Sequence, residues 1–119
     1  MTIAGGNIFS WKPCDGPDET LTELLSSRDV KIERIVSRAH ASPPDFWYDQ
    51  QWAEWVIVLA GAAALMIEGE AKARTLRPGD FVHIPPHVRH RVAWTDATDV
   101  TVWLAVHYRE PMDGHAPTA

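Results

Sequence analysis

An all-β fold, either a sandwich or a barrel, is the architecture that this sequence predicts. The 119 residues suit one domain that can bury an apolar core. Between residues 19 and 108, seven or eight short apolar or alternating runs are separated by turn residues. No ten-residue helical pattern interrupts them, which argues against an α/β fold. Residues 1–18 are expected to form an N-terminal arm and residues 109–119 a tail on this single domain.

The first element is the one whose type the sequence leaves open. Within Thr20–Ser27, three leucines have helical spacing after a Pro-Asp pair. The same segment also suits the first arm of a hairpin that turns at Arg28–Asp29. We favour the hairpin because every later element resembles a strand, beginning with Val30–Ser37.

Glycine and proline mark most of the turns between the later strands. Gly61 separates two apolar runs, and Pro85–Pro86 ends another. The remaining turns are expected at Glu68–Glu70, Arg77–Asp80 and Asp96–Asp99. The predicted strands are Val56–Ala60, Ala63–Ile67, Ala71–Leu76, Phe81–Ile84, Val88–Thr95 and Val100–Tyr108.

Composition and charge limit the classes of function. The net charge of −5 disfavours nucleic-acid binding, which depends on phosphate neutralisation. The longest uncharged run, Trp55–Ile67, has thirteen residues, too few for a membrane span. No secretory signal is visible, and Cys14 is the single cysteine, so no intrachain disulfide forms and a cytoplasmic location is expected.

Two residues, Glu54 and His90, are the main candidates for chemistry. Glu54 leads into a strongly apolar strand, and a carboxylate on an inner face must be paired, hydrogen-bonded or bound to a cation. In a regular strand, Tyr48, Gln50, Trp52 and Glu54 would share one face. Alternation in Val88–Thr95 places Val88, His90, Val92 and Trp94 opposite Arg89 and Arg91. Since the arginines need solvent, His90 is expected to point inward, where imidazole is a common metal ligand.

The other histidines and the tryptophans are weaker candidates. His87 follows two prolines, where it would either rim a pocket or lie in solvent. His83 is expected to face away, the orientation of His107 stays open, and His40 and His115 suit a loop and the tail. Trp47, Trp52, Trp55, Trp94 and Trp103 are expected mostly in the core, with a minority lining a ligand cavity or a dimer face.

The spacing of these residues resembles two motifs of the cupin superfamily, small double-stranded β-helix or jelly-roll barrels. Glu54, six residues and Gly61 match the second half of the first motif. Gly79, five residues, Pro85 and then His90 match the second motif. His87 stands where that motif has glycine, and Trp94 stands where asparagine is usual. The resemblance covers roughly residues 30–108 and implies the jelly-roll barrel.

The departures from the family pattern concern the metal site. The complete family site has three imidazoles and one carboxylate, but both first-motif histidines are absent here. With three residues before Glu54 their places hold Tyr48 and Gln50, and with four they hold Trp47 and Asp49. The resemblance therefore implies a degenerate site of Gln50, Glu54 and His90 for a divalent ion such as Fe, Mn, Ni or Zn. A one-residue bulge would exchange Gln50 for Asp49.

The resemblance leaves three functions open. The first is a metal-dependent enzyme of oxygenase or isomerase type acting on a small molecule, with Tyr48 or His87 as the acid/base group. The second is a non-catalytic barrel that binds or senses a small molecule. The third is a structural barrel in which Glu54 and His90 form a buried pair. A homodimer is expected, with Ile8, Phe9 and Trp11 adding an edge strand to a neighbour.

Overall fold

Eight strands and no helix make up the part of the chain that the structure describes, residues 2–11 and 19–109 of a computed structural model. The all-β prediction is thereby confirmed. The predicted tail beyond residue 109, with His115, and the arm segment that holds Cys14 lie outside these residues. The strands are β1 (Glu19–Ser26), β2 (Val30–Ser37), β3 (Ala53–Ala60), β4 (Ala63–Ile67), β5 (Arg74–Leu76), β6 (Phe81–Ile84), β7 (His90–Thr95) and β8 (Thr101–Tyr108).

The strands form two antiparallel sheets that face each other as a jelly roll. The larger sheet has the order β1-β2-β8-β3-β6, and the smaller has the order β5-β4-β7. Alternating residues of β3 and β8 pack against Leu65 of β4 and Val92 of β7 to form the apolar core. No helix that could cross a membrane occurs among the described residues.

The ambiguous first element is a strand. β1 pairs with β2 along its length, and the amide of Ser27 donates to the carbonyl of Val30 to close the hairpin. β5 and β7 begin later than predicted because turns precede both strands. Before β7, His87 has φ 63° and the amide of Val88 donates to the carbonyl of Pro85.

A β-bulge corrects the expected position of Trp94. Ala64 and Leu65 are consecutive in β4, yet they pair with Trp94 and Val92, so Ala93 is an extra residue in β7. The bulge breaks the alternation after Val92, and Trp94 is 42% exposed while Thr95 is buried. The expectation that most of the tryptophans lie in the core is also wrong, because only Trp103 of the six tryptophans is buried.

The N-terminal arm contacts the outer face of the larger sheet instead of forming a strand. The guanidinium of Arg34 donates to the carbonyls of Asn7, Ile8 and Ser10. No strand occurs within residues 2–11. These bonds tie the described part of the arm to its own barrel, and the homodimer stays a prediction.

Gly61 allows the tight β3–β4 turn, and its replacement by alanine tests the steric requirement. Gly61 has φ 82°, and a Cβ atom there would lie 2.6 Å from the Cα of Thr101. We expect Gly61→Ala to lower the free energy of unfolding by roughly 2–4 kcal/mol, since left-handed strain and a backbone clash add. Urea denaturation measures the loss.

Gly69→Ala is the matched control for Gly61→Ala. Gly69 also has a positive φ, 91°, but a Cβ atom there meets nothing within 4 Å. Gly69→Ala should lower the free energy of unfolding by only about 1–2 kcal/mol, because only the left-handed backbone strain is added. Equal losses for the two variants would contradict a steric role of Thr101.

Candidate functional site

A cavity of about 110 Å³ lies between the two sheets. Part of its wall is apolar and includes Val56, Leu65 and Trp103. The polar part of the lining combines three carboxylates with two imidazoles, one amide and one phenol. The polar lining residues are Glu19, Glu33, Glu54, His90, His107, Gln50 and Tyr48. Such a concentration of titratable groups in a concave site marks the candidate functional site of this chain.

Strand register brings these groups together. Glu54 in β3 lies directly opposite His107 in β8, so both side chains are on the inner face of the larger sheet. His90 comes from β7 in the facing sheet. Glu54 and His90, each expected on an inner face, therefore lie on opposite sheets and meet across the cavity.

Glu54 and His90 form a buried carboxylate–imidazole contact. Glu54 Oε2 lies 3.5 Å from His90 Nε2, and the two side chains are 12% and 6% exposed. His90 Nδ1 lies 3.0 Å from the carbonyl of Val88. A carbonyl only accepts, so Nδ1 carries the proton and Nε2 faces Glu54.

The environment of His90 favours its charged form. Burial lowers the pKa of His90, but Glu54 and the Val88 carbonyl outweigh burial and raise the pKa above its ordinary value of 6.5. The imidazolium is therefore the favoured partner of Glu54 in the metal-free protein. A metal cation in place of the proton on His90 Nε2 would contact the same carboxylate, that of Glu54.

A second pair, Glu33 and His107, was not identified from the sequence. Glu33 Oε1 lies 2.9 Å from His107 Nε2, at an angle that forms no hydrogen bond, and both side chains are buried. The orientation of His107 was open because it ends its strand. Local alternation gave no signal for Glu33, because Glu33 lies on the more polar side of its strand, opposite Ile32 and Val36.

Gln50, and not Asp49, faces the cavity. The amide oxygen Oε1 of Gln50 is buried without a hydrogen-bond partner. Asp49 points outward, and its Oδ1 accepts a hydrogen bond at 2.8 Å from Nδ1 of His87. His87 is 66% exposed and is not part of the cavity lining. The alternative bulge that would turn Asp49 inward is therefore absent, and the expected His87 lies outside the site.

Tyr48 lies against His90 at the cavity wall. The backbones of these residues exchange two hydrogen bonds, and their rings stack with centroids 5.5 Å apart. Burial, followed by the charges of Glu19 and Glu54, raises the pKa of the Tyr48 phenol above 10.0. Tyr48 is thus a protonated hydrogen-bond donor, which argues against a phenolate ligand.

The spacing of Glu54 and His90 is compatible with two ligands of one divalent cation. Two ligands about 2.1 Å from one tetrahedral ion lie roughly 3.4 Å apart, close to the 3.5 Å between Glu54 Oε2 and His90 Nε2. Within residues 2–11 and 19–109, no three His, Cys, Asp or Glu side chains group as metal ligands do. A third protein ligand would therefore be the unpartnered oxygen of Gln50, whose neutrality lowers the affinity.

Comparison with known proteins agrees with this architecture. The family model for the cupin domain matches residues 36–107. A crystal structure from Ralstonia eutropha JMP134, described as a candidate mannose-6-phosphate isomerase, is 50% identical and has a TM-score of 0.86. That match covers 90% of this chain and 99% of the other. No curated protein matches the chain.

More distant structures share the fold alone. An RmlC-like cupin of Methanocaldococcus jannaschii with a double-stranded β-helix has a TM-score of 0.64 at 18% identity, covering 87% of this chain and 91% of the other. The polyketide cyclase RemF of Streptomyces resistomycificus has a TM-score of 0.65 at 18% identity, covering 77% and 66%. With Glu54 and His90 of the two motifs placed at one cavity and the family match over residues 36–107, this chain belongs to the cupin family.

Proposed function

We propose that this cupin is an isomerase-type enzyme that moves a proton between adjacent carbon atoms of a small polar carbonyl compound. The observation that carries the proposal is the pair of carboxylate–imidazole contacts, Glu54–His90 and Glu33–His107, that line one cavity. Imidazole and carboxylate groups are the usual carriers of protons in enzymes. A site with two such pairs suits proton transfer better than oxygen chemistry.

The reaction type balances without a co-reactant. A base removes the proton from the carbon next to the carbonyl, and the same proton or one from solvent returns to the neighbouring carbon. The carbon that loses its proton carries a hydroxyl group, whose proton moves to the former carbonyl oxygen while that carbon becomes the new carbonyl carbon. The molecule is therefore neither oxidised nor reduced overall. The similar Ralstonia eutropha protein, described as a candidate mannose-6-phosphate isomerase, supports this type over an oxygenase.

Three residues, Gln50, Glu54 and His90, would hold a divalent ion such as Fe, Mn, Ni or Zn. When bound, the ion would supply Lewis-acid polarisation of a substrate oxygen. Tyr48, whose raised pKa keeps the phenol protonated, would donate a hydrogen bond to that oxygen. His107, whose Nε2 lies 2.9 Å from the carboxylate of Glu33, would take the proton from carbon and return it.

A non-catalytic role in binding or sensing a small molecule is the second candidate. It is favoured by the amide of Gln50 in a ligand position and by the lack of any grouped His, Cys, Asp and Glu ligands in the described ranges. The same cavity would then bind its ligand through hydrogen bonds alone. Isotope exchange into the ligand, described below, separates this role from catalysis.

Metal analysis of the full chain tests the ligand set. We expect close to one equivalent of a divalent transition metal, and at least tenfold weaker binding after Glu54→Gln or His90→Ala. Inductively coupled plasma mass spectrometry and a competition titration with a chelator measure both. Asp49→Asn is the control, because Asp49 adjoins Gln50 but points to His87. Equal loss in Asp49→Asn and Glu54→Gln would overturn the assignment.

The charge on His90 makes a pH dependence that can be measured without metal. NMR titration of the metal-free chain should place the pKa of His90 above 6.5, and Glu54→Gln should lower it. Since the native pKa is raised, the pair stabilises the metal-free fold below about pH 6.5, and this contribution is lost as pH rises through the native pKa. A pKa of His90 at or below 6.5 would contradict the pairing.

Proton exchange tests catalysis. In D₂O the metal-loaded chain should incorporate deuterium at the carbon next to the carbonyl of mannose 6-phosphate, followed by ¹H NMR. His107→Gln and Tyr48→Phe should each slow exchange by roughly 10²-fold or more. His87→Asn should retain the rate, because His87 is exposed and asparagine tolerates its positive φ. If the metal-loaded wild type exchanges no deuterium, catalysis is contradicted and the non-catalytic binding role is favoured.

A further inference from the structure

A second, larger cleft opens outside the cavity and is continuous with it. Its volume is about 600 Å³, and it shares Glu33, Gln50, His107 and Leu21 with the inner cavity. The cleft adds Trp52 and the end of the β1–β2 hairpin to this shared wall. The hairpin residues that line it are Ser26, Ser27, Arg28 and Lys31.

The cleft and the cavity have opposite charge. The cavity contains the carboxylates of Glu19, Glu33 and Glu54 and neither lysine nor arginine. The cleft contains Arg28 and Lys31, and its one carboxylate, Glu33, is already 2.9 Å from His107. The contact of Lys31 with Glu33 is long, 4.0 Å.

Arg28 is the cation that is available to a ligand. Its sequence neighbour Asp29 lies 3.9 Å from Arg109 and so already has a cationic partner. Among the described residues, Arg28 itself has no carboxylate within 4.0 Å. An arginine fork without an acidic partner, beside serine hydroxyl groups and an ammonium, suits an oxyanion with several acceptor atoms.

We propose that this outer cleft binds the phosphate group of a phosphorylated substrate, so that the substrate class is a small phosphorylated carbonyl compound. This inference rests on the proposed function for its substrate, although phosphate binding itself is independent of catalysis. The phosphate would contact Arg28, Lys31 and the hydroxyls of Ser26 and Ser27. The inner carboxylates would repel a dianion, which orients the uncharged end of the molecule inward.

Strand register gives the distance between the proposed phosphate site and the inner cavity. Ser26, Lys31, His107 and Glu54 are successive cross-strand partners on β1, β2, β8 and β3, and form one row across the sheet. Neighbouring strands are about 4.8 Å apart, so Lys31 and Glu54 are roughly 10 Å apart along this row, with His107 between them. A phosphate near Lys31 therefore leaves a few carbon atoms to reach His107.

Phosphate titration of the metal-free full chain tests this site. Inorganic phosphate at low ionic strength should shift the amide NMR signals of residues 26–31, and Arg28→Gln should weaken its Kd by at least fivefold. Lys72→Gln is the control, since Lys72 is an exposed cation elsewhere and its loss changes the net charge equally. Similar weakening by both variants, or shifts away from residues 26–31, would overturn the proposal.

A comparison of two sugars connects the cleft to a substrate. Mannose 6-phosphate should bind at least tenfold more tightly than mannose to the wild type, and Arg28→Gln should remove most of that difference. Equal affinity of both sugars would also overturn the proposal. Failure here is distinguishable from failure of the proposed function, because metal content does not depend on phosphate binding, and the wild type can exchange deuterium even where Arg28→Gln leaves the affinity for phosphate unchanged.

Discussion

Burial of ionisable groups between two sheets is the constraint on which the rest of this structure depends. An isolated carboxylate in a low-dielectric interior costs several kcal/mol unless it gains a partner. Glu54 and Glu33 each have an imidazole within 3.5 Å, from β7 and β8 respectively. The apolar core, which includes Trp103, packs against the inner end of the cavity. The barrel therefore holds proton-carrying groups in an environment where their charges interact strongly.

Local backbone features place these groups. The Tyr48–His90 bridge holds the loop before β3 against the smaller sheet, which brings the Tyr48 ring and the Gln50 amide to the cavity. The turn at His87 precedes the strand that begins with His90, and the Val88 carbonyl selects the protonated nitrogen of that histidine. The bulge at Ala93 lies after Val92, so it alters Trp94 without disturbing His90. The site is thus independent of the irregular end of β7.

The separation of charge between cavity and cleft connects the site to a class of molecule. Carboxylates and imidazoles lie inside, while Arg28 and Lys31 lie at the mouth. A ligand with one anionic end and one neutral polar end would match both. The similar Ralstonia eutropha protein is described as a candidate for the isomerisation of such a molecule. The proposed proton transfer inside and the proposed anion binding outside would suit one substrate that spans both compartments.

The sequence by itself determined the all-β class, most turns, and the inward positions of Glu54 and His90, because these follow from local alternation and from glycine and proline. Alternation assigns residues to two faces but does not say which face another sheet covers. Only the tertiary structure decided that Glu33 and His107 meet, that Gln50 rather than Asp49 faces the cavity, and that His87 lies outside. The arm bonded to Arg34 lies on the outer face of β2, opposite the face that carries Glu33. Side-chain contacts between strands that are distant in sequence depend on strand register, and no local sequence pattern in this chain predicts that register.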